Sequence, residues 1–149
     1  MMERSAVTTE QGNETSFRPR RSSESDWCRG LSAAILLLVL VQAVLAGQFL
    51  YAGSGALGIH RVVAELLPLL SLSLLVVLWM DLRNGNSLRK SVVAVSVAVF
   101  VLIVIQTGLG FVGRSAPGAA AIHIPLGVVI FGLATQNALA IWSRARGAD

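Results

Sequence analysis

The chain has 149 residues, 54% of them hydrophobic and only 13% charged, with a formal net charge of +4. A soluble globular domain carries about a quarter charged residues, so this composition excludes an ordinary water-soluble domain and points to a lipid bilayer. The positive balance is no nucleic-acid footprint, because what matters is where the basic residues fall between apolar runs.

Residues 1–26 are rich in Ser, Thr, Glu and Arg without apolar periodicity, a composition too polar to offset the entropy of ordering. They are expected to form a disordered cytoplasmic tail ahead of a transmembrane domain over 27–146. The first predicted span covers about 31–50. Its Val44-Leu45-Ala46 resembles a signal-peptide cleavage site, but the long apolar run and the segment of about 30 residues before it favour a membrane span. Cys28 is the single cysteine, which excludes an intrachain disulfide and a paired-cysteine metal site and reads as a plain juxtamembrane thiol.

The second span is placed at 62–80, and Glu65 is the one formal charge inside any span. It follows Arg61 by four residues, a spacing that allows pairing along one helix face. A turn around Asn84-Gly85-Asn86 joins it to the third span at 91–110, and a fourth follows at 119–143. Each is long enough for a hydrocarbon core of about 30 Å. Pro68 and Pro125 fall inside spans and are expected to bend them. Gln136 and Asn137, near the end of the last span, carry no functional signal.

Arg4, Arg18, Arg20, Arg21 and Arg29 precede the first span, Arg83, Arg89 and Lys90 lie between the second and third, and Arg144 and Arg146 follow the fourth. Only Arg61 and Arg114 fall in the other two connections. The positive-inside rule then puts both termini in the cytoplasm. Trp27, Trp79 and Trp142 lie at the inner ends of spans, where an indole keeps its N–H wet and its ring among acyl chains.

The two halves of the chain repeat. Gln42, Leu45 and Ala46 precede a loop ending at Gly55, with His60 five residues on, while Gln106, Leu109 and Gly110 precede a loop ending at Gly118, with His123 five residues on. The expected fold is therefore all-α, a four-transmembrane-helix bundle built from two helical hairpins related by an axis along the membrane normal. Both histidines should lie about 7 Å into their helices and face each other across the bundle. That geometry suits two axial ligands of a haem. Arg61 and Arg114 would be the cations on that side for its propionates, and Gln42 and Gln106 would hold the helix interface or touch the ligand edge. A histidine near a helix end can also serve only as an interfacial ring.

Gly53-Ser54-Gly55, His60-Arg61, Gln106 with Leu109-Gly110, and His123 in an apolar helix together resemble the N-terminal half of haem A synthase, over residues 31–143. The chain is also similar to small four-helix membrane proteins of bacteria with the same half-bundle pattern. The resemblance implies that His60 and His123 ligate haem iron, in a protein of the bacterial cytoplasmic membrane. The family's functional glutamate, three residues before the first histidine, is Leu57 here, and the outer-loop cysteine pair of many members is absent. An enzyme of this type would need a homodimer to rebuild eight helices. The leading expectation is thus a b-type haem protein with an electron-transfer or haem-handling role and an unknown redox partner. The alternative is a small non-catalytic membrane transporter or scaffold subunit without haem, in which Glu65 is the carboxylate to watch.

Overall fold

The computed structural model describes residues 22–52, 55–84, 90–113 and 115–146. They form four helices: α1 over Ser22–Ala52, α2 over Gly55–Arg83, α3 over Lys90–Val112 and α4 over Pro117–Arg146. All four are long and apolar enough to cross a membrane. The chain is a multi-pass membrane protein with an all-α four-helix bundle. Consecutive helices pack side by side and α4 closes onto α1, whereas α1 and α3, and α2 and α4, sit diagonally opposite.

Each helix outruns the apolar run that predicted it, because intrahelical hydrogen bonding continues into the interfacial region where charge is tolerated. At its start, α1 reaches back to Ser22, inside the segment expected to be a disordered tail, and an Asp26–Arg29 ion pair of 3.5 Å braces that first stretch. Residues 1–21, Gly53, Ser54, 85–89, Arg114 and 147–149 lie outside the described residues. The second hairpin turn is closed by Gly113 N–H donating to Leu109 O at 2.8 Å and Ala116 N–H donating to Val112 O at 3.1 Å.

The buried positions repeat with the chain. Cys28, Ser32, Ile35 and Val39 on α1 recur 64 residues later as Val92, Ser96, Val99 and Ile103 on α3. On the partner helices, Leu67, Ser71, Leu74 and Leu78 of α2 recur 63 residues later as Ile130, Ala134, Asn137 and Ile141 of α4. In lipid, helices associate through close packing and interhelical hydrogen bonds, without a hydrophobic force between them, so this doubled column is what holds the bundle. Cys28 is part of it at 4% exposure, so the thiol near the start of the first span is packed into the bundle. Asp81 is also buried, because α2 continues past it.

Polar atoms in this half are satisfied locally. Ser71 and Ser96 donate to the carbonyls of Leu67 and Val92, four residues back, at 2.9 Å each. Asn137 Nδ2 donates to Ser96 Oγ at 3.0 Å, a buried link between α3 and α4. Pro68 has no N–H for the carbonyl of Ala64, and Thr107 Oγ1 of α3 lies 3.3 Å from that oxygen while also donating to Ile103 O at 2.9 Å. The tryptophans mark the end where α1 begins and α4 finishes: the Arg29 guanidinium stands 5.2 Å from the Trp142 ring and that of Arg83 stands 4.8 Å from Trp79.

Candidate functional site

The fully buried column ends at Val39, Leu67, Ile103 and Ile130. One turn further on, toward the hairpin turns, α1 and α3 present Gln42 and Gln106, and two turns beyond Leu67 and Ile130 the diagonal helices present His60 and His123. The imidazoles meet across the bundle, with ring centroids 6.4 Å apart and planes inclined by 57°. Equal spacing from the column places both at one level, as the repeat required.

Each glutamine bridges its own hairpin. Gln42 Nε2 donates to the backbone carbonyl of His60 at 2.9 Å, and Gln106 Nε2 donates to that of His123 at 2.8 Å. The expected interface role thus takes a particular form: each amide fixes the helix that carries the histidine. In the second hairpin the link is reciprocal, since His123 Nδ1 lies 3.1 Å from Gln106 O. A carbonyl can only accept, so Nδ1 carries the proton and Nε2 keeps its lone pair. In the first hairpin the Gln42 backbone faces His60 in the same sense, but His60 Nδ1 falls short of a hydrogen bond and is buried without a partner. Gln42 Oε1 and Gln106 Oε1 are buried acceptors without donors too.

Small residues surround this layer. A Cβ on Gly110 would stand 3.3 Å from His123 Cε1, and one on Gly127 would stand 3.3 Å from Gln106 Nε2. The ring and the amide therefore occupy space that a side chain would contest.

The other expected residues are not drawn in. Arg61 lies one position beyond His60, about 100° around the helix, and makes no hydrogen bond or ion pair with the histidine–glutamine layer among the described residues. Nor does it pair with Glu65: among the described residues the ion pair is Asp26–Arg29. The four-residue spacing allowed a contact that the two side chains do not make, Glu65 being exposed and Arg61 partly buried. Arg114 lies outside the described residues, and Leu57 is partly buried on α2. No group of three or more His, Cys, Asp or Glu side chains forms a metal cluster among the described residues.

No protein-family profile, curated protein or solved structure matches this chain.

Proposed function

We propose that the chain binds one b-type haem between His60 and His123, in an electron-transfer or haem-handling role in the bacterial cytoplasmic membrane, with both termini cytoplasmic. The observation that carries this reading is the 6.4 Å separation of the two ring centroids on diagonal helices. Imidazole nitrogens that share one metal at ~2.0–2.1 Å put their ring centroids about 6 Å apart. Three further features fit. His123 presents a neutral Nε2 while its Nδ1–H is held by a backbone carbonyl, the usual arrangement of a metal-bound histidine. His60 is turned in the same sense, its Nδ1 toward the Gln42 backbone, which leaves Nε2 as the nitrogen for a metal. The packed column stops short of the pair and small residues follow it.

Haem, when bound, supplies one-electron iron chemistry. The chain's part is to hold the two axial nitrogens level, to fix the His123 tautomer through Gln106 and to surround the site with apolar helices. The likeness to one half of haem A synthase agrees with this role, but with Leu57 in place of the glutamate, methyl oxidation forms no part of the proposal.

The test is an absorption spectrum of detergent-purified protein, oxidised and reduced, after expression with haem supplied. A Soret band is expected in the native chain, with none in the His60→Ala/His123→Ala double variant. Colourless native protein, or a band that survives unchanged in the double variant, overturns the reading. Accessibility of terminal tags in intact cells tests the orientation separately.

A further inference from the structure

The two hairpins repeat the histidine–glutamine layer but do not hold their rings equally. His123 is tied to Gln106 twice: Gln106 Nε2 donates to its backbone carbonyl at 2.8 Å, and its own Nδ1–H donates to Gln106 O at 3.1 Å. His60 has the first bond, from Gln42 Nε2 at 2.9 Å, and lacks the second, its Nδ1 being buried without a partner. The sequence supplies a cause. A Cβ on Gly110 would stand 3.3 Å from His123 Cε1 and 3.8 Å from its Nδ1. The same place in the first half of the repeat, one turn beyond Gln42, is Ala46. The first hairpin thus carries a methyl where the second leaves room for its ring.

This difference bears on what each ring can do as a ligand. A carbonyl that accepts from Nδ1–H settles the tautomer, pins the ring and makes Nε2 more basic, and losing such support costs roughly 10–100-fold in metal affinity. Without that acceptor the His60 proton is free to sit on either nitrogen, and with it on Nε2 the ring has no lone pair to offer there. A buried donor left unpaired is also unfavourable in itself, a cost that His123 does not bear.

We propose that the two axial positions are unequal: His123 is the anchoring ligand and His60 the exchangeable one, so that the iron face toward α2 is open to a small uncharged ligand. The inference rests on the haem binding proposed above. The bond from His60 Nε2 to iron gives way to one from the entering ligand, with no change of oxidation state and no proton moved. Apolar helices surround the layer, which favours an uncharged ligand because an anion would have to shed its water to enter. Ala46 is a positioning residue that acts through His60.

Detergent-purified full chain, with and without haem, tests the proposal. In the apo-protein, nitrogen NMR should show a hydrogen-bonded, Nδ1-protonated His123 and a tautomer-averaged His60, and Ala46→Gly should make the His60 signal resemble that of His123. In the reduced, haem-loaded protein, carbon monoxide is the probe. It should shift the native Soret band, and Ala46→Gly should weaken its binding by about tenfold. His60→Ala should keep haem on one protein ligand, whereas His123→Ala should lower haem affinity by roughly tenfold more. If Ala46→Gly does not fold, Gly110→Ala supplies the converse, and its His123 signal should come to resemble that of His60. Equal loss of haem in the two histidine variants, a haem-loaded native chain that refuses carbon monoxide, or apo-protein signals already alike for the two rings would each overturn this proposal and leave haem binding standing. A native chain with no Soret band removes it together with the haem reading.

Discussion

The two ends of this bundle are built on opposite rules. At the tryptophan end the buried residues form a doubled apolar column, and the serines and Asn137 are satisfied by nearby partners. At the histidine end the same repeat places polar side chains at equal levels, and among the described residues the buried side-chain atoms without a partner, on Gln42, His60 and Gln106, all lie there. An unsatisfied buried polar group costs free energy, so the histidine layer contributes less to holding the bundle together than the column does. Fold and site are thereby separated along one axis.

The largest effect should come from the column. Leu74→Ala removes one of the most buried side chains at 2% exposure. It should destabilise the bundle by about 2 kcal/mol, the low end for such truncations, because the unfolded reference remains in lipid and packing is what is lost. Unfolding in mixed denaturing micelles measures it, and under the proposed haem binding the spectrum of the surviving folded fraction should match the native one. A spectrum that changed in step with stability would show that the two ends are not separate.

Asn137 offers a finer cut within the column. It stands where the first hairpin has Leu74, so Asn137→Ala should cost about 0.6–1.7 kcal/mol through the lost interhelical bond. Asn137→Leu should cost less, since it restores apolar packing and Ser96 still donates to Val92 O. If leucine proves as damaging as alanine, the polar link is setting the α3–α4 register.

At the other end, Gln106→Leu should reverse the balance of effects. Stability falls by less than ~1 kcal/mol, in line with single hydrogen bonds between membrane helices. Under the haem binding proposed above, affinity falls on the order of tenfold, as for other residues that support a metal ligand. Titration of haem into the apo-protein reads the second quantity. An unchanged affinity would reduce the glutamine to a helix fastener.

Much of this division was legible in the sequence, and the reasons for the remainder are physical. Spans follow from hydropathy because every backbone polar group must be satisfied inside lipid, which leaves helices as the available form. The level of the two histidines follows from the repeat. The rotational phase of each helix does not, because helices apolar all round show no amphipathic stripe. The burial of Cys28 was therefore missed, although its repeat partner is a core valine, Val92. The bond from Thr107 to Ala64 O spans 43 residues and depends on the N–H that Pro68 lacks. Spacing rules misled once: Arg61 and Glu65 satisfy the four-residue rule, yet that rule gives proximity along a helix and cannot say whether the two side chains will meet.

The smallest expected effect concerns a difference between the hairpins themselves. Where the second has Gly110 and Gly127, the first has Ala46 and Ala64, and it is the second whose histidine Nδ1 is hydrogen bonded. Gly110→Ala would bring a methyl to 3.3 Å from His123 Cε1, so the ring must move by a few tenths of an ångström. Alanine also gains up to ~1 kcal/mol of helix propensity over glycine, which offsets the crowding and leaves stability nearly level. The ring's hydrogen bond to Gln106 O should lengthen, seen as a changed His123 Nδ1 resonance in nitrogen NMR of the apo-protein. A higher stability with an unmoved resonance would mean that the ring does not need the glycine, and the asymmetry between the two hairpins would then have another cause.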